Sequence, residues 1–531
     1  MTTSNTPVWR AELTDEAATR ALAREVAALL GADDLVTLSG ELGAGKTTFA
    51  RALIRCLTED PELEAPSPTF TLMQIYETAA FPIVHADLYR VKDPSELAEL
   101  GWDEAAEGAL VLVEWAERAG SALAGDRLEI VFFTDARRGP DYRRAEITGH
   151  GAMARRLLST RGAQAVLARA GWDEAEREYM QGDASSRAYE LLRKPNGDKA
   201  VLMISPPRPD GPPVRNGKPY SAIAHLAEDI RPFVAIDAAL RGQNLSAPEI
   251  YAVDLEAGFA VLEYFGREGI VNPGVVGPQG PIPERYAQAT ALLASLHARD
   301  LPEDAPLAGG SYKIPPYDLD AMLIEVDLLP EWYAPHLAGL QLASGARAQY
   351  ENIWRALLAP LLAEGKTWTL RDYHSPNLLW LEEREGVRKI GLLDFQDCVM
   401  GPPAYDVVSL LQDARVTVAD ELELKLLSHY ARGRKAAQPD FDMAAFAGAY
   451  ALMGAQRASK ILGIFARLDK RDGKPDYLVH VPRMRNYLRK NLGHPALADL
   501  KNWFDVNLPA IFVADAQGIS SEAISPEEIS P

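Results

Sequence analysis

Two stretches of the 531-residue chain carry residue types and spacings suited to phosphate chemistry. The first, residues 40–47, reads GELGAGKT and fits the pattern G-x-x-x-x-G-K-[ST]. The second, residues 370–377, reads LRDYHSPN and places Asn377 five residues after Asp372. An aspartate that accepts a hydroxyl proton and an asparagine that binds Mg²⁺ have this spacing in enzymes that transfer phosphate to an alcohol. The sequence therefore predicts two phosphate-handling sites in one chain.

The first stretch follows a strand-like run and precedes a helical pattern, which is the context that a phosphate-binding loop requires. Its glycines let backbone N–H groups surround phosphate oxygens. The side chain of Lys46 would reach the β- and γ-phosphates, and the Thr47 hydroxyl would bind Mg²⁺. The predicted nucleotide-binding residues of this loop are Gly40, Gly43, Ala44, Gly45, Lys46, Thr47 and Thr48.

Two acidic residues end strand-like runs further along the chain. Asp87 closes PIVHAD and Glu114 closes ALVLVE. In open α/β sheets, ligands bind beyond the carboxyl ends of the strands, so both carboxylates are expected near the nucleotide. The alternative is that they are solvated carboxylates at strand ends.

Four motifs of this region resemble the TsaE (YjeE) family, the small ATPases of bacterial tRNA threonylcarbamoyladenosine biosynthesis. They are GELGAGKTTFARAL, SPTFTL, HADLYR and VEWAER, within residues 10–148. The resemblance implies ATP hydrolysis that drives a complex of TsaD- and TsaB-like proteins, without sequence-specific reading of nucleic acid by this domain alone. It also implies that Thr47 and Glu114 hold Mg²⁺ and that Asp87 is catalytic.

The same resemblance places Ser67, Thr69 and Phe70 in a switch-like region beside the catalytic aspartate. Trp115 matches the tryptophan that follows the acidic residue in the family, and we expect it to line the nucleotide site. From the bare sequence, Trp115 fits a core position equally well.

The second site needs a further carboxylate for Mg²⁺ on the strand after the catalytic loop. KIGLLDFQD supplies Asp394, and the intervening residues read as a hairpin that turns at Glu385-Gly386. We therefore predict Asp372 as catalytic base and Asn377 and Asp394 as Mg²⁺ ligands.

A small β-rich lobe should cover ATP in this unit. GDASSRAYEL supplies a phosphate-covering turn with Ser185 and Ser186, and FAVLEYFG supplies a strand that runs into an adenine-binding hinge at Glu263. Aligning AVLM with the usual V-A-I-K pattern puts Met203 at the position of the phosphate-binding lysine. Arg187 is our candidate for the missing cation; the alternative is that ATP is held in another way.

The second unit resembles the aminoglycoside phosphotransferase-like family, and within it the AmgK group of kinases that act on the anomeric hydroxyl of N-acetylmuramate and N-acetylglucosamine. The resemblance rests on GDASSRAY, RDYHSPNLLW, GLLDFQDCVMGPPAYDVVSLLQDAR and QRASKILGIFARL, among stretches spanning residues 165–490. That group also carries methionine at the position of Met203. Leu370 replaces the usual histidine, whose main role in such folds is to support the loop.

The acceptor substrate is less sharply defined by the residues. An aminoglycoside is a polycation and would favour acidic contacts, whereas N-acetylmuramate carries a carboxylate and would favour basic ones. One segment offers Glu325, Asp327 and Glu331, of which Glu325 is our candidate for a sugar-hydroxyl contact; another offers Arg457, Lys460 and Arg467 at helical spacing. The alternative for both is a solvated helix face.

The predicted fold class is α/β: a P-loop domain with a largely parallel sheet, then a bilobal kinase-like α+β domain. Strand-like and helical runs alternate to residue 150, and a mostly helical stretch covers 284–508. We predict a P-loop domain at 1–150, a helical or linker segment at 151–163, a phosphotransferase domain at 164–508 with lobes at 164–264 and 265–508, and a disordered tail at 509–531. The helix over 14–30 should be capped by Thr14.

Composition excludes several function classes. The net charge of −20 argues against bulk electrostatic binding of nucleic acid, and no apolar run is long enough to span a bilayer. Only two cysteines, Cys56 and Cys398, are present, which fits a reducing compartment; we expect a cytoplasmic protein. The leading hypothesis is a bifunctional enzyme. The alternatives are an ATPase tethered to a kinase-like binding module without catalysis, or a kinase for another small hydroxyl substrate such as an aminoglycoside.

Overall fold

Residue contacts divide the chain into two compact units, Met1–Glu174 and Ala175–Pro531. The structure, a computed structural model, describes residues 9–91, 102–123, 125–135, 137–180, 187–207, 211–275 and 279–512. Within these ranges no helix combines the length and the apolar character needed to cross a lipid bilayer.

The first unit is built on a seven-stranded mixed sheet. Its strands are β1 (Trp9–Leu13), β2 (Leu35–Gly40), β3 (Met73–Tyr76), β4 (Ile83–Asp87), β5 (Leu110–Glu114), β6 (Arg127–Thr134) and β7 (Arg143–His150). The spatial order is β1-β7-β6-β2-β5-β4-β3. The four strands β6, β2, β5 and β4 run parallel, whereas β1, β7 and β3 pair antiparallel. The parallel centre brings the carboxyl ends of β2, β4 and β5 to one edge, where the predicted phosphate site lies.

Helices cover this sheet: α1 (Glu16–Ala27), α2 (Lys46–Leu57), α3 (Trp102–Ala106) and α4 (Ala152–Ala170), with a 3₁₀ helix at Ala116–Leu123. The N-cap of α1 is Asp15, whose carboxylate accepts from the Ala18 N–H at 2.8 Å, so the predicted cap at Thr14 is wrong. The segment 151–163 is the start of α4, which buries Met153 and Leu157 in the core of the first unit. The division between units therefore falls later in the chain than the predicted boundary.

The second unit begins with a five-stranded antiparallel sheet in the order β13-β14-β10-β9-β8. The predicted hairpin at Asn196-Gly197 joins β9 to β10, and Gly197 takes a φ of 93°, which glycine adopts without strain. The elements up to residue 263 are β8 (Glu176–Met180), β9 (Ala188–Arg193), β10 (Lys199–Ile204), β11 (Pro213–Arg215), β12 (Lys218–Pro219), α5 (Tyr220–Ala224), α6 (Arg231–Gly242), β13 (Ile250–Asp254) and β14 (Phe259–Glu263).

The rest of this unit is mainly helical, as predicted. Its helices are α7 (Pro283–Leu296), α8 (Leu319–Val326), α9 (Ala334–His336), α10 (Ser344–Leu362), α11 (Ala404–Leu411), α12 (Asp420–Ala437), α13 (Met443–Asp472), α14 (Val481–Asn491) and α15 (Ala498–Asn507). Short strand pairs interrupt them: β15 (Val271–Asn272) with β16 (Gly280–Pro281), β17 (Asp304–Leu307) with β18 (Gly310–Lys313), β19 (Thr367–Thr369) with β22 (Val399–Gly401), and β20 (Leu378–Trp380) with β21 (Ile390–Leu392).

The predicted tail at 509–531 starts too early. Pro509–Phe512 form a 3₁₀ turn and bury Ile511, because this turn packs against α14 and α15. The remainder of the predicted tail lies outside the described residues.

Candidate phosphate-transfer sites

The loop between β2 and α2 has the backbone that a phosphate cradle requires. Gly40, Gly43 and Gly45 have φ values of 136°, 78° and 105°, a region that side-chain-bearing residues avoid. A Cβ on Gly40 would lie 2.5 Å from the Phe132 carbonyl oxygen. Glycine is therefore required at position 40 both by φ and by the close approach of β6.

Lys46 is placed at the first turn of α2 with its ammonium folded over the loop. Its Nζ donates to the carbonyl oxygens of Gly40 at 2.7 Å and Glu41 at 3.0 Å, and lies 3.6 Å from the centroid of the Trp115 ring. Burial lowers the pKa of Lys46, and the charge of Glu114 opposes this shift. Trp115 thus contacts Lys46 directly, and it also packs against the surrounding apolar cluster.

Thr47 and Glu114 meet at the edge of the parallel strands, as predicted. The Thr47 hydroxyl donates to Glu114 Oε2 at 2.7 Å, and the other carboxylate oxygen lies 3.0 Å from His85 Nε2. Hydroxyl and carboxylate oxygens are ligands that Mg²⁺ prefers. This donor set fits the metal, with His85 fixing the orientation of the carboxylate.

Asp87 is buried at the end of β4, and its carboxylate accepts hydrogen bonds from two hydroxyl groups. Ser67 Oγ donates to Asp87 Oδ2, and Thr69 Oγ1 donates to the same oxygen at 3.0 Å. Phe70 is 84% exposed. The guanidinium of Arg90 lies over its ring, 4.4 Å from the ring centroid. The switch-like segment therefore touches the proposed catalytic carboxylate through its hydroxyls, while its aromatic residue faces outward.

In the second unit, the structure brings Asp372, Asn377 and Asp394 together across the β20–β21 hairpin. Asn377 Nδ2 donates to the Asp372 carbonyl at 3.0 Å and to Asp394 Oδ2 at 3.3 Å. The side chains of Asp372 and Asp394 are 35% and 37% exposed, so a substrate can reach both carboxylates.

The pKa values of the two carboxyl groups are shifted in opposite directions. Burial raises the pKa of Asp394 to about 6, and the charge of Asp372 adds to this shift. Burial also opposes ionisation of Asp372, but nearby groups outweigh it and hold the pKa of this carboxyl below its ordinary value. The largest of these opposing contributions come from His374, Lys460 and Arg457. A cation between the two carboxylates would relieve their repulsion, so the donor set fits Mg²⁺.

Arg187, our candidate for the missing cation, lies beside Asp394. Its Nη1 lies 3.1 Å from Asp394 Oδ1, and Gln396 Nε2 donates to the same oxygen at 2.8 Å. Met203 is fully buried in the core beneath the sheet, whereas Lys199 is exposed at the start of β10. The predicted residues Ser185 and Ser186 lie outside the described residues.

Glu263 ends β14, as predicted for the strand before the hinge. Its Oε1 accepts from Arg384 Nη2 at 2.5 Å and its Oε2 from the Glu249 N–H at 3.1 Å. Both oxygens of this carboxylate therefore accept hydrogen bonds from other groups of the same unit.

The catalytic loop is held by backbone hydrogen bonds to a buried carboxylate. The N–H groups of Leu370 and Arg371 donate to the two oxygens of Asp406 at 2.7 and 2.9 Å. Leu370 is 2% exposed and packs in the main core. Asp413 accepts from Ser375 N at 2.9 Å and Ser375 Oγ at 2.5 Å. The loop is thus supported without a histidine at position 370.

Glu325 lies in α8 with no exposed surface, which contradicts its predicted contact with a sugar hydroxyl. Burial opposes its ionisation, but the charges of Lys460 and Arg371 outweigh this and lower the pKa of Glu325 to about 2. Its oxygens bind Arg371 Nη2, Lys460 Nζ at 2.8 Å, Tyr317 OH at 2.6 Å and Gln456 Nε2 at 2.9 Å. Glu325 therefore anchors the arginine next to Asp372.

The basic residues of α13 lie against tyrosine side chains of other helices and are not a solvated face. Arg457 is 5% exposed, and its guanidinium lies 5.7 Å from the Tyr405 ring centroid. The ammonium of Lys460 is 3.4 Å from the Tyr405 hydroxyl. Arg467 lies 5.2 Å from the Tyr220 ring centroid.

Sequence reasoning missed several supporting residues, namely His85, His374, Gln396, Asp406 and Asp413. Asp406 had a usable signal, because it interrupts the apolar helix AYDVVSLL, and a buried acid requires partners. His374 had the weaker signal of lying two residues after the predicted base; its Nε2 is 3.9 Å from Asp372 Oδ1.

Comparison with known proteins assigns a family to each unit. Residues 13–143 match the family described as "Threonylcarbamoyl adenosine biosynthesis protein TsaE", and residues 176–445 match the "Phosphotransferase enzyme family". The chain belongs to both families.

The phosphotransferase unit is similar to an N-acetylmuramate/N-acetylglucosamine kinase of Caulobacter vibrioides, with 38% identity over 65% of this chain and 95% of that protein. A Pseudomonas putida protein of the same name is 37% identical over 60% of this chain and 84% of its own length. The TsaE unit is 43% identical to the tRNA threonylcarbamoyladenosine biosynthesis protein TsaE of Rickettsia felis, over 22% of this chain and 68% of that protein. The predicted fusion of a TsaE-like unit with a phosphotransferase is confirmed.

Proposed function

We propose that the second unit transfers the γ-phosphate of ATP to the anomeric hydroxyl of N-acetylmuramate or N-acetylglucosamine. The observation that carries this proposal is the cluster of Asp372, Asn377 and Asp394, with Arg187 at its edge. The names of the curated relatives support the choice of sugar.

In this reaction Asp372 accepts a hydrogen bond from the sugar hydroxyl and takes its proton as the new O–P bond forms. The bond between the γ-phosphorus and the β–γ bridging oxygen of ATP breaks at the same time, and ADP leaves. The lowered pKa keeps its carboxylate ionised at neutral pH. Arg187 is suited to neutralise phosphate oxygens beside Asp394. Asn377 and Asp394 would hold Mg²⁺, which offsets phosphate charge when bound.

We propose that the first unit is a Mg²⁺-dependent ATPase that works with TsaD- and TsaB-like proteins in tRNA threonylcarbamoyladenosine formation. Lys46 binds phosphate oxygens, and Thr47 and Glu114 would hold the metal. Asp87 orients the attacking water, with Ser67 and Thr69 fixing its carboxylate. We place both activities in the cytoplasm, where ATP is available and the free thiols Cys56 and Cys398 stay reduced.

Two alternatives are less favoured by the site. A binding module that has lost catalysis would not need Asn377 bonded to both the Asp372 carbonyl and the Asp394 carboxylate. An aminoglycoside is a polycation, and Arg457 and Lys460 near Asp372 would repel it.

The test is phosphate transfer by the full chain, with ³¹P detection of sugar 1-phosphates. Asp372→Ala should lower the rate by about 10²–10⁴-fold, the contribution of a general base, while leaving the melting temperature close to wild type. Absence of turnover by the wild-type chain on either sugar would reject the kinase function.

A further inference from the structure

The basic residues of α13 form a row that begins at the catalytic loop. Arg457, Lys460 and Arg467 share one face, since they are three and seven residues apart on a helix with 3.6 residues per turn. Both Arg457 and Lys460 influence the pKa of Asp372, so this end of the row lies beside the site of phosphate transfer.

The far end of the row is formed by Arg467 and Tyr220. Burial raises the pKa of Tyr220 to about 12, and the charges of Lys460 and Arg467 both act on it in the opposite direction. Tyr220 therefore lies within electrostatic reach of two members of the row. The centroid of its ring lies 5.2 Å from the Arg467 guanidinium, within the range of a cation–π contact.

The Arg467 end of the row carries positive charge that its neighbours do not fully offset. Glu325 is shared between Arg371 and Lys460, so one carboxylate serves two cations. The Nε atoms of Arg457 and Arg467 are buried, and neither has a hydrogen-bond partner within the described part of the chain. Burial also lowers the pKa of Arg467, which shows that its charge is poorly compensated. A guanidinium whose charge is poorly compensated is stabilised by an anionic partner, so Arg467 suits an anionic ligand.

We propose that Arg467, beside Tyr220, binds a carboxylate carried by the acceptor sugar. This inference rests on the kinase function proposed above and specifies its substrate class as an acidic amino sugar. The sugar lies along α13 with its reacting hydroxyl at Asp372 and its carboxylate toward Arg467. N-acetylmuramate carries such a carboxylate, and N-acetylglucosamine does not.

The test compares the two sugars in the full-length chain. In Arg467→Gln, KM for N-acetylmuramate rises about ten-fold, equivalent to about 1.4 kcal/mol, while KM for N-acetylglucosamine changes less than about two-fold. Arg467→Lys keeps the charge without the planar fork, and retains part of the preference for the acidic sugar. Arg471→Gln is the matched control, because Arg471 lies one turn further along the same helix and pairs with Asp472 at 2.7 Å.

Three results would overturn the subsite. One is an equal change in KM for both sugars in Arg467→Gln, and another is no change for either. The third is a wild-type enzyme that phosphorylates N-acetylglucosamine but not N-acetylmuramate, which leaves the kinase function intact. A wild-type chain that phosphorylates neither sugar rejects the kinase function itself. Arg467→Lys tests the same prediction if Arg467→Gln does not fold.

Discussion

The two phosphate sites hold their carboxylates with different kinds of neighbour. In the TsaE unit, Asp87 and Glu114 are bound by hydroxyl groups and a histidine ring. In the phosphotransferase unit, the loop of Asp372 is anchored by the fully buried Glu325 and its cations. Neutral hydrogen bonds contribute about 0.5–1.5 kcal/mol each, whereas breaking a buried ion pair costs about 3–5 kcal/mol. The first site is thus easy to rearrange around a nucleotide, and the second is held in one geometry.

The largest effect is expected from breaking the charged anchor. Glu325→Gln leaves Arg371 and Lys460 buried without their anion, and should reduce the free energy of unfolding of the second unit by about 3–5 kcal/mol. Chemical denaturation with sugar-kinase activity as the probe measures this loss. The control is Glu331→Gln, an exposed residue that follows in the chain and whose substitution should change stability by less than about 0.5 kcal/mol. Equal, small effects of both substitutions would contradict the anchoring role.

A smaller effect is expected from the corresponding change in the TsaE unit. Ser67→Ala removes one of two hydroxyls that donate to Asp87, and Thr69 still donates at 3.0 Å. The loss of unfolding free energy should be about 1 kcal/mol, measured by denaturation with nucleotide binding as the probe. A loss as large as that of Glu325→Gln would remove the distinction between the two sites.

A third expected effect concerns pH and Mg²⁺. The pKa of Asp394 is raised to about 6, so this carboxyl takes up a proton as pH falls through 6 and then cannot bind the metal. The Mg²⁺ concentration for half-maximal sugar phosphorylation should rise about ten-fold between pH 7.5 and pH 5. The Mg²⁺ requirement of the ATPase of the first unit, measured over the same pH range, provides the internal comparison. A flat Mg²⁺ requirement over this range would contradict the role of Asp394.

The sequence could predict those parts of each site whose residues lie close together both along the chain and in the structure. Residues 40–47 form one short segment, and so do residues 372–377. Residue type and interval along the chain were therefore enough to predict them. The hairpin between Asn377 and Asp394 was also predictable, because it is short and both of its strands are apolar runs.

The anchors could not be predicted in the same way because they act across distance. Asp406 accepts a hydrogen bond from Leu370, 36 residues away in the sequence. Glu325 accepts one from Arg371, 46 residues away in the sequence. A carboxylate on an amphipathic segment gives the same sequence pattern whether it faces solvent or a buried arginine. The sequence alone therefore places Glu325 at the substrate, although the structure places it against Arg371. The cations of α13 posed the same difficulty, and only the packing of that helix shows which way they face.

The most direct test of two independent sites is a crossed measurement on the full chain. Lys46→Ala and Asp372→Ala are each assayed for ATP hydrolysis by the first unit and for sugar 1-phosphate formation by the second. We predict that Lys46→Ala lowers ATP hydrolysis by about 10²–10³-fold and leaves sugar phosphorylation unchanged, and that Asp372→Ala does the reverse. Loss of sugar phosphorylation in Lys46→Ala, with normal folding, would contradict the account.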